Sequence, residues 1–196
     1  MKQLILVLLM FAVTGAIQAG DATAGKNKSL LCSTCHGSDG NSISPEWPSI
    51  AGQHENYLVK QITEFKTGVR KDPTMLGMTA ALSEQDIADL AAYYASLEGK
   101  TSAVKENFVA LGSEIYSKGV DGVMACTACH GPNGKGLEAA VFPSLSGQQV
   151  AYTIKQLKSF KSGERSNDLN GMMRSVAKGM TDEQIEAVSN YISGLH

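Results

Sequence analysis

The pattern Cys-x-x-Cys-His occurs twice in this chain, in CSTCHGSDG at 32–40 and in CTACHGPNG at 126–134, 94 positions later. The two copies consume all four cysteines of the sequence. The pattern reads as an attachment site for c-type haem. Two thiols about one helical turn apart can each add to one vinyl group of the porphyrin, and the histidine that follows reaches the iron. Covalent attachment fixes the ring, so the backbone itself places the axial imidazole. Cys32, Cys35 and His36 are predicted to hold one haem, and Cys126, Cys129 and His130 a second. A four-thiolate zinc site, a redox dithiol or a plain disulfide accounts for the cysteines but leaves both histidines without a reason. A thioredoxin-like dithiol also requires a strand–helix–strand context, and the strand signal here is weak.

The N-terminus, MKQLILVLLMFAVTGAIQA, has a positive start at Lys2, an apolar run from Leu4 to Val13 and small residues from Ala16 to Ala19. This predicts a secretory signal peptide over 1–19, cut after Ala19, and hence a periplasmic protein. The apolar run is shorter than the roughly 20 residues a spanning helix needs. Export agrees with the cysteines, because c-type haem is attached outside the cytoplasm. The remaining 177 residues (196 minus 19) divide into two halves that are each small for an unaided apolar core. A buried porphyrin supplies the missing apolar bulk. Residues 20–98 carry 10 acidic and 6 basic side chains, net −4, and residues 99–196 carry 9 and 10, net +1. No cluster of Lys and Arg is interleaved with aromatics, which argues against a nucleic-acid partner.

The repeat runs well past the cysteines. WPSIAGQ at 47–53 answers FPSLSGQ at 142–148, and YLVKQITEFKTGVR at 57–70 answers YTIKQLKSFKSGER at 152–165, both at an offset of 95. LSEQDIADLAAYYASL at 82–97 then answers MTDEQIEAVSNYISGL at 180–195, at an offset of 98. A period this long means paired domains rather than a solenoid. We place them at 20–98 and 106–196, with the small polar segment GKTSAVK at 99–105 as the linker. Helices are expected over 21–35 and 106–118, and over 55–67 and 150–162, the latter pair stopped by Gly68 and Gly163. A last helix opens on capping boxes, Ser83-x-x-Asp86 and Thr181-x-x-Gln184. Its apolar stripe is Ile87, Leu90, Ala91 and Tyr94 in one copy, and Ile185, Val188, Ser189 and Ile192 in the other. Each module reads as a small all-helical haem domain with long loops.

The sixth iron ligand is constrained by counting. Of four histidines, two are committed, His54 is matched by Gln149, and His196 is terminal. Methionine is the natural replacement, being a soft thioether donor. At the offset of 98, Met75 pairs with Met173 in the loop before the last helix, while Met78 pairs with Val176 and Met172 with Thr74. Met172 remains the rival to Met173, since a slip of one residue exchanges them. His/Met ligation leaves no open position on the iron and raises the reduction potential, which points to outer-sphere electron transfer.

On these motifs the chain resembles the cytochrome c4 family over essentially its whole length after the leader. The resemblance rests on CSTCHGSDG and CTACHGPNG, the PSIAGQ and PSLSGQ loops, the YLVKQ and YTIKQ helices and the closing YISGLH. It implies an all-α fold of two tandem class I cytochrome c domains related by a pseudo-twofold axis, with two covalently bound haem c groups. It further implies a respiratory electron carrier, not an enzyme, running from a cytochrome bc complex or another donor to a terminal oxidase. Its partners are then redox proteins, through which it associates with the membrane peripherally. Carried over, the axial iron ligands are His36, Met75, His130 and Met173, and the carbonyls of Pro48 and Pro143 hydrogen-bond the proximal imidazoles. The compact stretch RKDPTMLGM in the first copy leaves little room near the first methionine. Two other readings compete. A cytochrome subunit of a flavin-containing sulfide or other dehydrogenase shares the same features. A dihaem peroxidase needs an iron without a sixth protein ligand, and usually unlike halves.

Overall fold

The computed structural model describes residues 19–196. The predicted signal peptide therefore lies, apart from Ala19, outside the described residues. Among them no helix is long and apolar enough to cross a membrane.

Five helices build the first domain: α1 (Ala22–Lys28), α2 (Leu30–His36), α3 (Glu55–Lys66), α4 (Pro73–Thr79) and α5 (Glu84–Ala95). Five build the second: α6 (Glu106–Lys118), α7 (Thr127–His130), α8 (Val150–Ser162), α9 (Met172–Lys178) and α10 (Asp182–Ser193). No β-strand forms among the described residues, only two isolated bridges. The long helix expected over 21–35 is broken instead. Asp21 caps α1 by accepting from the amides of Thr23 and Ala24. The Ser29 hydroxyl then donates to the Lys26 carbonyl at 2.8 Å and closes the last turn, so α2 starts afresh. Both predicted capping boxes form, Ser83 with Asp86 and Thr181 with Gln184. All eight residues of the two apolar stripes are buried.

In each domain the first and last helices cross at a glycine. A Cβ on Gly25 would lie 2.0 Å from the Asp89 carbonyl oxygen and 2.8 Å from the Tyr93 Cβ. A Cβ on Gly112 would lie 2.6 Å from both the Ala187 oxygen and the Tyr191 Cβ. Asp89 and Tyr93 are equivalent to Ala187 and Tyr191 at the offset of 98. The two crossings are therefore the same contact made twice, with backbone against backbone.

The two cores differ in size. The second unites ten buried residues around Ile115, Tyr116, Ile185 and Val188, whereas the first unites five around Leu90, Ala91 and Tyr94. Local opening tracks buried apolar contact. Hydrogen exchange of the intact holoprotein should therefore exchange the α5 amides faster than the α10 amides. Equal protection would mean that cofactor burial, rather than side-chain packing, sets domain stability.

The segment 99–105 has no helix but is fastened along its length. The Lys100 amide donates to Asn41 Oδ1 at 2.8 Å, and the Ser102 amide donates to the Ser193 carbonyl at 2.8 Å. The domains meet through their repeated PSIAGQ and PSLSGQ loops. Gln53 bonds both the amide and the carbonyl of Ser144, at 2.8 and 2.9 Å. Gln148 bonds the amide and the carbonyl of Ser49, at 2.9 Å each. Gln53 and Gln148 are equivalent, as are Ser49 and Ser144. That reciprocity is the mark of a twofold relation.

Candidate haem-binding site

Within the motif, α2 sets Cys32 and Cys35 one turn apart with His36 at its end, and α7 does the same for Cys129 and His130, with Cys126 at its cap. None of the four cysteines is in a disulfide. Among the described residues no cluster of His, Cys, Asp or Glu is placed to hold a bare metal ion, so the two pairs do not converge on a zinc site. Burial pushes the Cys32 thiol up, and the Cys126 thiol up to about 11. The residue after each histidine is glycine, and the reason is conformational. Gly37 and Gly131 adopt φ of 84° and 72° with ψ of 151° and 167°, a region open essentially to glycine alone. The chain turns away at once and leaves the imidazole at the end of the helix. The recurrence of glycine after both histidines is the sequence signal that marks this requirement.

Both histidines are buried, 8% and 6% exposed. His36 Nδ1 lies 2.8 Å from the Pro48 carbonyl oxygen, and His130 Nδ1 lies 3.0 Å from that of Pro143. A carbonyl only accepts, so Nδ1 carries the proton and Nε2 keeps its lone pair. Burial lowers both imidazole pKa values against the opposing pull of that bond, so the rings stay neutral, as a metal ligand must be. The proline loops are pinned to the last helices. Gly52 donates to the Tyr94 carbonyl at 2.9 Å, and Gly147 donates to that of Ile192 at 3.2 Å.

Met75 and Met173 lie on short helices, not in a loop as the sequence suggested. Asp72 caps α4 by accepting from the Met75 amide at 3.0 Å, with Pro73 in the first turn. Ahead of α9 stands a three-residue 3₁₀ turn, Leu169–Gly171, which holds Asn170 and Gly171 at φ of 51° and 71°. Three residues is the difference between the offsets of 95 and 98, so this turn accounts for the slip. Beyond it the register is regular. Thr79 and Ala177 are both buried, and their carbonyls accept from Leu82 and Met180 at 3.1 Å each. Four residues before each stands Met75 or Met173. Met173 also packs against the core of the second domain.

These groups line one continuous cavity of about 870 Å³ that spans both domains, with His36, Cys32 and Met75 on one side and His130, Cys126 and Met173 on the other. Its walls include Ile62, Phe65 and Leu90, answered by Leu157, Phe160 and Val188. Met78 and Met172 line it too. Free thiols at helical spacing, neutral imidazoles and apolar walls fit covalently attached haem. His54 takes no part. Its Nε2 lies 2.7 Å from the Lys135 carbonyl oxygen of the other domain.

An all-helical domain that presents Cys-x-x-Cys-His against an apolar cavity, built twice, defines a dihaem c-type cytochrome. The cytochrome c family model matches residues 22–98 and again 109–196. The cytochrome c4 of Azotobacter vinelandii is 45% identical, covering 100% of this chain and 99% of the relative. The crystal structure of reduced recombinant cytochrome c4 from Pseudomonas stutzeri superimposes with a TM-score of 0.88 at 44% identity, covering 91% of this chain and 100% of that one. A thiosulfate dehydrogenase electron acceptor of Stutzerimonas stutzeri is 34% identical, covering 85% of this chain and 79% of the relative. The chain belongs to the cytochrome c4 family. It is a dihaem electron-transfer protein with covalently attached haem c in each domain.

Proposed function

We propose that Cys32 and Cys35 hold one haem through thioethers with His36 and Met75 as axial ligands, and that Cys126 and Cys129 hold the other with His130 and Met173. The reading rests above all on two equivalent crevices, each with a carbonyl-oriented neutral imidazole, opening into one cavity. Haem iron, when bound, carries one electron by cycling between ferric and ferrous. The chain's residues do the rest. The proline carbonyls fix the imidazole planes, the sulfurs of Met75 and Met173 would favour the reduced state, and the apolar walls exclude water. The Gln–Ser pairs hold the two crevices against each other. Filled axial positions make the protein a carrier rather than a peroxidase.

The functional units run over 20–98 and 106–196, joined by 99–105, after a leader over 1–19 that directs export to the periplasm. There the protein takes electrons from a cytochrome bc complex or another donor and delivers them to a terminal oxidase. It meets the membrane only through those partners. A second reading has specific support in the relatives named as thiosulfate dehydrogenase electron acceptors, at 34% and 35% identity. In it the donor is a dehydrogenase, of that kind or flavin-containing. Stopped-flow reduction by each purified donor separates the two, and co-purification with a dehydrogenase would favour the second.

A pyridine haemochrome assay should return two haems per chain that acid-acetone does not extract. One haem per chain, or zinc in its place, would sink the assignment.

A further inference from the structure

Arg70 and Arg165 are equivalent residues, 95 apart, just past the ends of α3 and α8. Arg70 Nη1 donates to Gln61 of its own domain at 2.8 Å, while Nη2 donates to the Tyr152 hydroxyl and to Gln156 Oε1 of the other domain, at 3.0 and 2.9 Å. Arg165 mirrors it, with Nη1 on Gln156 at 2.7 Å and Nη2 on Tyr57 and Gln61 at 3.1 and 3.2 Å. Each guanidinium stacks on a phenylalanine of its own domain, Phe65 or Phe160, 4.4 Å from the ring centre. Both line the central cavity. Arg70 is 8% exposed and Arg165 half-buried. Among the described residues, neither has a carboxylate within ion-pairing distance. All their side-chain acceptors are neutral. A buried cation is costly unless an anion compensates it. Burial pushes the Tyr57 phenol up, but the charges of Arg165 and Arg70 outweigh it and hold the group below the ordinary tyrosine value. The two cations, one from each domain, thus act on a single buried group, Arg165 reaching it across the domain boundary.

Haem carries its own carboxylates, the two propionates. We propose that Arg70 and Arg165 are positioning residues whose guanidinium groups serve as internal counter-cations for the haem propionates, and that each, held by side chains of both domains, raises the potential of both haems. This rests on the ligation proposed above. A fixed positive charge favours the reduced iron, because reduction removes one positive charge from the centre. A guanidinium clamped between the domains lies close to both centres and is little screened, unlike an exposed cation.

The test is an optical redox titration of full-length holoprotein carrying Arg70→Gln, Arg70→Lys or, as a control, Lys71→Gln, which removes an exposed neighbouring charge. Arg70→Gln should lower both potentials. The more affected haem should shift by about tenfold in its reduction equilibrium, 59 mV for a one-electron couple, with a smaller resolvable shift in the other. Arg70→Lys keeps the charge and should recover most of both shifts. Lys71→Gln should move each equilibrium by less than about twofold. Arg165→Gln, at the less buried mirror position, should reproduce the result and stands in if Arg70→Gln folds poorly. Haem content and the near-infrared thioether bands are read on the same samples. Two haems, both bands intact and unmoved potentials would overturn the proposal and leave the ligation reading standing. A shift confined to one haem would overturn its cross-domain part. Missing bands in the unsubstituted protein would instead overturn the ligation on which it rests.

Discussion

Replacement of Met173 by alanine is expected to abolish the weak near-infrared thioether-to-iron band of one haem and to lower that haem's potential. The drop should be on the order of 0.1 V or more, a fraction of the ~0.8 V range that axial ligands span. Met75→Ala should do the same to the other haem and leave the first untouched. The expectation follows from register. Beyond the 3₁₀ turn at Leu169–Gly171 every matched backbone contact keeps the offset of 98, down to the paired carbonyls of Thr79 and Ala177. The Lys66 and Lys161 ammonium groups make equivalent bonds, donating to the carbonyls of Leu82 and Met180. Met78, 40% exposed and matched by Val176, should be replaceable by alanine with both bands retained. Met172→Ala is the discriminating control. If it removes a band that Met173→Ala leaves, α9 is rotated by one residue relative to α4, and Met75 and Met173 are not equivalent.

Gly112→Val should destabilise the second domain by on the order of 3 kcal/mol, because overpacking a tight contact costs about that much. The atoms its Cβ would strike, 2.6 Å away, are the Ala187 carbonyl oxygen and the Tyr191 Cβ. Neither is the far end of a flexible chain, so α6 must lift off α10. For a domain of this size the melting temperature should fall by roughly 10–20 °C. Gly77→Ala makes the contrast. Gly77 lies inside α4 at an ordinary φ, and a Cβ there would meet nothing within 4 Å. Alanine at this position should gain about 0.5–1 kcal/mol through helix propensity. Thermal melts of the holoprotein check both. A Gly112→Val protein that melts like its parent would show that the crossing is looser than its geometry.

Much of the site was legible in the chain because its chemistry is local. Cys32, Cys35 and His36 sit within five residues, as do Cys126, Cys129 and His130, and any backbone that makes one helical turn brings each set together. The apolar stripes of α5 and α10 and their capping boxes are local in the same sense, since helical periodicity and a hydroxyl three residues from its partner need no tertiary information. Duplication added a second source. Matching two copies singled out Met75 and Met173 from among the methionines without any knowledge of where they lie in space.

Local choices between competing turns, and contacts between residues far apart in sequence, were decided only by the folded structure. The break at Ser29 depends on a hydroxyl closing its own turn in competition with a continuous helix, and periodicity does not see that competition. The 3₁₀ turn before α9 places Met173 on a helix, where the sequence suggested a loop. The glycine crossings are invisible in sequence, because only the approach of a second helix gives a missing Cβ its meaning. The Gln53–Ser144 and Gln148–Ser49 pairs are of the same kind, as are the guanidinium groups of Arg70 and Arg165 held by the opposite domain. A repeated sequence specifies two like domains. Which surfaces those domains turn towards each other is a matter of shape and hydrogen-bond complementarity, and that was settled only when both were folded.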